Sequence, residues 1–151
     1  MLVNNISSVS NYNTVISIVE WIKNSPKRFA STGSRYFGGA KENSDWDFFV
    51  EHDVELYDFL ISQGFVDISK IEADIVKGNT ILYPDDSIVQ VLEKKCIDGI
   101  VQIQLLQKGM FELKLAAQKF LAHTFAMVAI PKDQRKTMWN VAMKIVATLS
   151  G

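Results

Sequence analysis

The stretch STGSRYFGGAKENSDWDFFV, residues 31–50, decides how the rest of the chain is interpreted. It places the pair Gly33-Ser34 ten residues ahead of an Asp-Trp-Asp triplet that opens an apolar run. Two carboxylates one residue apart repel each other, and their burial is costly unless a cation lies between them. Residues i and i+2 of a strand point to the same face, so Asp45 and Asp47 can converge on one divalent metal.

The residues upstream of the triplet have the chemistry of a phosphate site. Glycine lets the backbone approach a phosphate closely, outward amide groups can bind it, and the Ser34 hydroxyl adds a donor. Arg35 and Lys41 in the following loop can also contact phosphates, although basic residues are equally common on an ordinary surface. Mg²⁺ or Mn²⁺ bound by carboxylates and triphosphate oxygens would account for both halves of the stretch.

Gly33-Ser34 followed at this spacing by Asp45-x-Asp47 resembles the signature of the nucleotidyltransferase fold, the polymerase-β-like superfamily. A loop glycine at Gly38 and the apolar strand after the triplet agree with that family. The compact chain looks most like small stand-alone members, some of them phage-encoded. The resemblance implies that the two aspartates hold the metal of a nucleoside triphosphate such as ATP. It also implies transfer of a nucleoside monophosphate to a hydroxyl of a protein, a tRNA or a small molecule.

The resemblance fails at one position. The family carries a third carboxylate on a later strand, and the matching strand here, residues 100–106, has Gln102 at that place and Gln104 two residues on. An amide can hydrogen-bond but cannot take a proton from an attacking hydroxyl. The acids that could substitute for it are Asp98, Glu51, Asp85 and Asp86.

Three interpretations therefore stay open. The chain is an active nucleotidyltransferase, a catalytically impaired relative that acts as a protein-binding inhibitor or antitoxin-type module, or an ordinary scaffold with a fortuitous motif. They differ in whether nucleotide is bound and in whether it is turned over. The loss of the third acid should damage catalysis far more than nucleotide binding.

Hydrophobic periodicity predicts a single α+β domain over residues 1–151, with a small mixed β-sheet, flanking helices and a helical part from about residue 110. The predicted helices are 11–24, 54–65, 111–125 and 134–149, and the predicted strands are 28–32, 46–51, 80–83, 87–94 and 100–106. Turns are predicted at 84–86 and at Asp98-Gly99, and residues 66–78 are ambiguous.

The two C-terminal helices carry apolar stripes that predict their core faces. In the first helix the stripe is Leu113, Leu115, Ala116 and Phe120; in the second it is Met138, Val141, Ala142, Ile145 and Leu149. The second stripe equally suits a partner-binding face, so a homodimer stays open.

Composition limits the class of protein. The chain is 48% apolar and 22% charged, and it has no apolar run near the roughly 20 residues that a membrane span needs. A net charge of -1 predicts no attraction to duplex DNA or to a membrane surface. A single cysteine, Cys96, and an N-terminus unlike a signal peptide predict a cytoplasmic protein, in the host cytoplasm if the chain is phage-encoded. His52 and His123 lack zinc-ligand spacing.

Overall fold

The computed structural model of the chain describes residues 12–69, 76–77, 80–81 and 87–150. Their fold is α+β, as predicted. In chain order the elements are α1 (Val15–Asn24), β1 (Phe29–Thr32), α2 (Ser34–Phe37), β2 (Trp46–Glu51), α3 (Val54–Ser62), β3 (Val66–Asp67), β4 (Val76–Lys77), β5 (Thr80–Ile81), β6 (Ile88–Cys96), β7 (Gly99–Leu106), α4 (Phe111–Met127) and α5 (Lys132–Ser150).

Five of the described strands form one mixed sheet in the order β1-β2-β7-β6-β3. β2 and β7 run parallel, and the other neighbours are antiparallel. The short strands β4 and β5 pair only with each other, so the described part of the predicted strand 80–83 lies outside this sheet. The predicted turn at 84–86 lies outside the described residues.

Strand alternation divides the core into two layers. β2 buries Phe48 and Val50 against α1 and α3, and it buries Phe49 against α4 and α5. A central strand covered on both faces reads as a continuous apolar run rather than an alternating one, as the sequence of β2 does. The layer under α4 and α5 also contains Leu106 and Met143.

The start of α1 is fixed by two side chains. The hydroxyl of Thr14 accepts a hydrogen bond from the backbone N–H of Ser17, 3.2 Å away, which makes it the N-cap. The carboxylate of Asp98, in the predicted β6–β7 turn, accepts from the N–H of Val15 at 2.8 Å. These contacts explain why the helix begins at Val15 rather than at residue 11, the predicted start.

The predicted core face of α4 is wrong except at Leu115, which is partly buried against the layer that contains Phe49. Leu113 and Phe120 are 38% and 70% exposed, whereas Lys114 and Gln118 are fully buried. The two buried polar side chains reach partners on the sheet: Lys114 donates to the side-chain oxygen of Gln104, and Gln118 donates to the carbonyl oxygen of Ser31. Partners from distant strands offset the cost of burying them, and helical periodicity cannot reveal such partners.

The predicted core face of α5 is right at Ala142, which packs against the layer over β2, and wrong at two other positions. Val141 and Ile145 are 51% and 54% exposed, while Met143 and Val146 are buried in the layer over β2. The side chain of Leu149 lies outside the described residues. Among the helices that the structure describes, none is long and apolar enough to cross a membrane.

Candidate functional site

A cavity of about 250 Å³ lies between the sheet, the β1–α2 connection and α5. Its floor is the sheet face under α4 and α5, where strand pairing sets Thr32, Asp47, Gln102 and Glu93 in one transverse row. Directly opposed residues of neighbouring strands share a face, so these side chains stand on the same side of the sheet. The first three of the row line the cavity.

Asp47 is packed against the backbone of Gly33. The latter has φ 72° and ψ -162°, a conformation that is almost confined to glycine. A Cβ on this residue would collide with Oδ2 of Asp47 and would lie 3.1 Å from its Cγ. Ser34 follows and lines the same cavity. The structure therefore brings together three of the predicted site residues.

The other aspartate of the pair is placed differently. β2 begins at Trp46, so Asp45 precedes the strand and the alternation that would align it with Asp47 does not reach it. Asp45 is half-buried and is not part of the cavity lining. Within the described ranges, no group of three or more His, Cys, Asp or Glu side chains has an arrangement that could hold a metal ion.

Gln102, the position of the expected third carboxylate, is the direct neighbour of Asp47 on β7. Its amide nitrogen donates to Oε1 of Glu93 on β6 at 3.1 Å. Sequence reasoning did not select Glu93, because its proximity depends on the register of the β6–β7 hairpin.

The acids proposed as substitutes are engaged elsewhere. Asp98 caps α1 through the N–H of Val15, and Glu51, at the opposite end of β2, accepts from the N–H of Gly109 at 3.0 Å. Asp85 and Asp86 lie outside the described residues. Among the described residues, Asp47 is the acid that lines the cavity.

Arg35 and Lys41, predicted to contact phosphates, do not line the cavity. The guanidinium of Arg35 donates to the carbonyl oxygens of Glu42 and Ser44 at 3.1 and 2.8 Å. It also lies 3.8 Å from the ring centroid of Trp46. Arg35 therefore stabilises the loop before β2, and Lys41 is exposed on that loop.

The basic wall of the cavity comes instead from α5. Lys132, Arg135 and Lys136 line it, at the i, i+3 and i+4 positions of one helix face. Nε of Arg135 is buried and has no hydrogen-bond partner among the described residues. Three cations on one wall repel one another, so an anion in the cavity would be stabilised. The sequence signal was the run KDQRK after Pro131, at the start of the last predicted helix.

An aromatic cluster closes the same side. The ring of Phe37 meets those of Phe125 and Trp139 at centroid distances of 5.6 and 5.3 Å. These contacts join the single turn of α2 to α4 and α5, and all three rings line the cavity. The cavity thus has an apolar wall beside its basic one.

A buried lysine lies behind the floor. Nζ of Lys114 donates to Oε1 of Gln104 at 3.0 Å, and Gln104 lines the cavity. The ammonium also lies 5.4 Å from the ring centroid of Phe49 and 5.6 Å from that of Trp139. Aromatic faces attract a desolvated cation, which helps to offset its burial.

Comparisons of the chain with protein-family models, curated proteins and solved structures gave no significant match.

Proposed function

We propose that this protein binds a nucleoside triphosphate together with Mg²⁺ or Mn²⁺ in the cavity between β2, β7 and α5. One observation carries the proposal: the Asp47 carboxylate, the Gly33-Ser34 backbone and the basic side chains of α5 line the same cavity. An acid on one side and cations on the other suit a ligand that is itself a metal cation bound to a polyanion.

The oxygen ligands at the floor of the cavity suit a hard divalent metal. Mg²⁺ takes one or two protein carboxylates and fills its remaining positions with water and substrate phosphate oxygens. Asp47 would be the principal ligand. Asp45 lies outside the cavity lining and would reach the same metal only through a shift of the loop before β2. When bound, the metal would neutralise and align the triphosphate.

The phosphates would lie along α5. Arg135 can offer a fork of N–H donors, and Lys132 and Lys136 add point charges. On the facing side the hydroxyl of Ser34 can donate to a phosphate oxygen, and Gly33 admits close approach. The rings of Phe37, Phe125 and Trp139 provide an apolar surface for the rest of the nucleotide.

The reaction that we propose is transfer of a nucleoside monophosphate to a hydroxyl of a protein, a tRNA or a small molecule. The hydroxyl oxygen would bond to the α-phosphorus, the α–β phosphoanhydride bond would break, and pyrophosphate would leave. The hydroxyl proton would pass to water or to a carboxylate, since the amide of Gln102 cannot take it. Turnover should therefore be slow.

The second candidate function is a nucleotide-binding interaction module without turnover. The hydrogen bond from Gln102 to Glu93 favours it, because that bond commits the amide to a structural partner. Both candidates bind the same ligand. They differ in whether the α-phosphate is transferred to an acceptor or stays in the bound nucleotide.

Incubation of the protein with each α-labelled nucleoside triphosphate, Mg²⁺ and a cell lysate tests the transfer. The test variants are Asp47→Asn and Asp45→Asn, which remove a negative charge at constant side-chain size. We expect label on a protein, an RNA or a small molecule with the wild type and a loss of about tenfold or more with Asp47→Asn. Equal labelling by all three proteins would overturn the transferase, whereas Mg²⁺-dependent nucleotide binding without any label would support the binding module.

A further inference from the structure

The amide of Gln102 has a defined orientation. An ionised carboxylate can only accept hydrogen bonds, so the group that faces Glu93 must be the amide nitrogen. The side-chain oxygen of Gln102 is thereby turned away from Glu93 and is left for the cavity that Gln102 lines. Gln102 itself is the direct partner of Asp47 across the parallel strands, and both residues line the cavity.

The amide of Gln104 has the opposite orientation. An ammonium can only donate, so the group that faces Lys114 must be the amide oxygen. The amide nitrogen of Gln104 is then left for the cavity, which this residue also lines. The two amides lie on one strand face with their Cα atoms about 6.7 Å apart, and they present opposite hydrogen-bonding groups.

We propose that Gln102 and Gln104 are specificity-determining residues that give the cavity an acceptor end and a donor end. The acceptor end comprises the Asp47 carboxylate and the Gln102 oxygen, which suits a metal ion. The donor end comprises the Gln104 nitrogen and the basic side chains of α5, which suits phosphate oxygens. The ligand class is a metal-chelated polyphosphate bound in one direction. This inference rests on the proposed function and deepens it.

Glu93 and Lys114 are positioning residues in this arrangement. Neither lines the cavity, and each fixes the polarity of one amide through a hydrogen bond near 3 Å. A glutamine without such a partner can rotate its amide by half a turn at little cost. Glu93 and Lys114 therefore determine the direction in which the ligand binds.

The donor end is tested with Gln104→Glu, which replaces the cavity-facing nitrogen by an acceptor oxygen. The new carboxylate can pair with Lys114, so the fold should be retained. The matched control is Gln107→Glu, the same change in charge at an exposed position just after β7. The probe is inorganic tripolyphosphate, titrated calorimetrically with and without Mg²⁺. We expect Gln104→Glu to weaken binding about tenfold or more in both conditions, and the control to leave it unchanged.

The acceptor end is tested with Glu93→Gln, which lets the Gln102 amide turn. We expect this variant to bind Mn²⁺ more weakly in the presence of tripolyphosphate, as measured by electron paramagnetic resonance. Its affinity for metal-free tripolyphosphate should be unchanged. The double variant Glu93→Gln/Gln102→Glu restores a donor–acceptor pair and places a carboxylate beside Asp47. We expect it to bind Mn²⁺ more tightly than the wild type.

The outcomes separate this inference from the proposed function. If Mg²⁺-dependent nucleotide binding is lost in Asp47→Asn but Gln104→Glu and Glu93→Gln both behave as the wild type, the polarity inference is wrong and the proposed function stands. If both variants weaken both readouts equally, they act only through the fold and the inference is also wrong. If the wild type binds neither nucleotide nor tripolyphosphate, both are overturned.

Discussion

The carboxylate of Asp47 occupies the space where a Cβ of Gly33 would be. The two residues are adjacent because Thr32, the last residue of β1, pairs with Asp47 on β2. The strand pairing thus converts a glycine and an aspartate that lie 14 positions apart into one wall of the cavity. The Gly33-Ser34 pair and Asp47 therefore lie side by side in the lining of one cavity.

Gly33→Ala should destabilise the protein more than Gly38→Ala. Both glycines have positive φ with ψ near ±160°, so an alanine at either position should carry backbone strain of about 1–3 kcal/mol. Only at Gly33 does the new methyl group meet a neighbour, and displacing Asp47 should add about 1–3 kcal/mol. Urea unfolding of the two variants measures this difference. Equal losses of stability would contradict the close packing of Asp47 on Gly33.

Arg35→Lys should loosen the loop before β2 and destabilise the protein by about 1–3 kcal/mol. Lysine cannot reproduce the fork that bonds the carbonyl oxygens of Glu42 and Ser44, nor the stacking on Trp46. Amide hydrogen exchange over residues 39–45 should accelerate. The control Lys41→Met, at an exposed position of the same loop, should change the free energy of unfolding by no more than about 0.5 kcal/mol. Unchanged amide hydrogen exchange in Arg35→Lys would contradict the stabilisation of this loop by Arg35.

The thiol of Cys96 should react slowly at neutral pH. Burial raises its pKa above the ordinary value of 9.0; nearby Lys94 opposes that shift, and Asp98 adds to it. The folded state then binds the thiol proton more tightly than the unfolded state does. The resulting stabilisation is present below the unfolded pKa and is lost as the pH rises through the folded pKa. Alkylation by iodoacetamide, followed by mass spectrometry from pH 7 to 10, should have a higher midpoint in the native protein than in urea. A native midpoint at or below the urea value would contradict this assignment.

Much of the fold was predictable from local patterns. β2 was predicted with the bounds it has. The predicted helix 11–24 contains α1, whose residues Val15, Ile18 and Ile22 are buried at helical spacing. In both elements the apolar residues that become buried follow the local periodicity of the sequence. The β6–β7 hairpin was predicted, but its turn lies one residue earlier than expected: Ile97 and Asp98 form it, and Gly99 already pairs with Cys96 as the first residue of β7.

The C-terminal helices and half of the candidate site were not predictable in the same way. Helical periodicity assigned Phe120 to the core and gave no role to Lys114, because the lysine is stabilised by a glutamine on a distant strand. The basic wall formed by Arg135 and its neighbours faces Asp47 only through tertiary packing of α5. Arg35 was predicted to contact phosphates because of its positive charge. In the structure its guanidinium instead donates to three carbonyl oxygens of the loop before β2.

The most direct test of the central claim is a calorimetric titration of the protein with nucleoside triphosphate in Mg²⁺, compared with the same titration in EDTA. The account predicts saturable binding that is weakened at least about tenfold by EDTA and by Asp47→Asn. Asp58→Asn provides a matched control, because it removes one exposed carboxylate on α3 that is not part of the cavity. Absence of binding by the wild type at millimolar nucleotide, or binding that Asp47→Asn leaves intact, would contradict it.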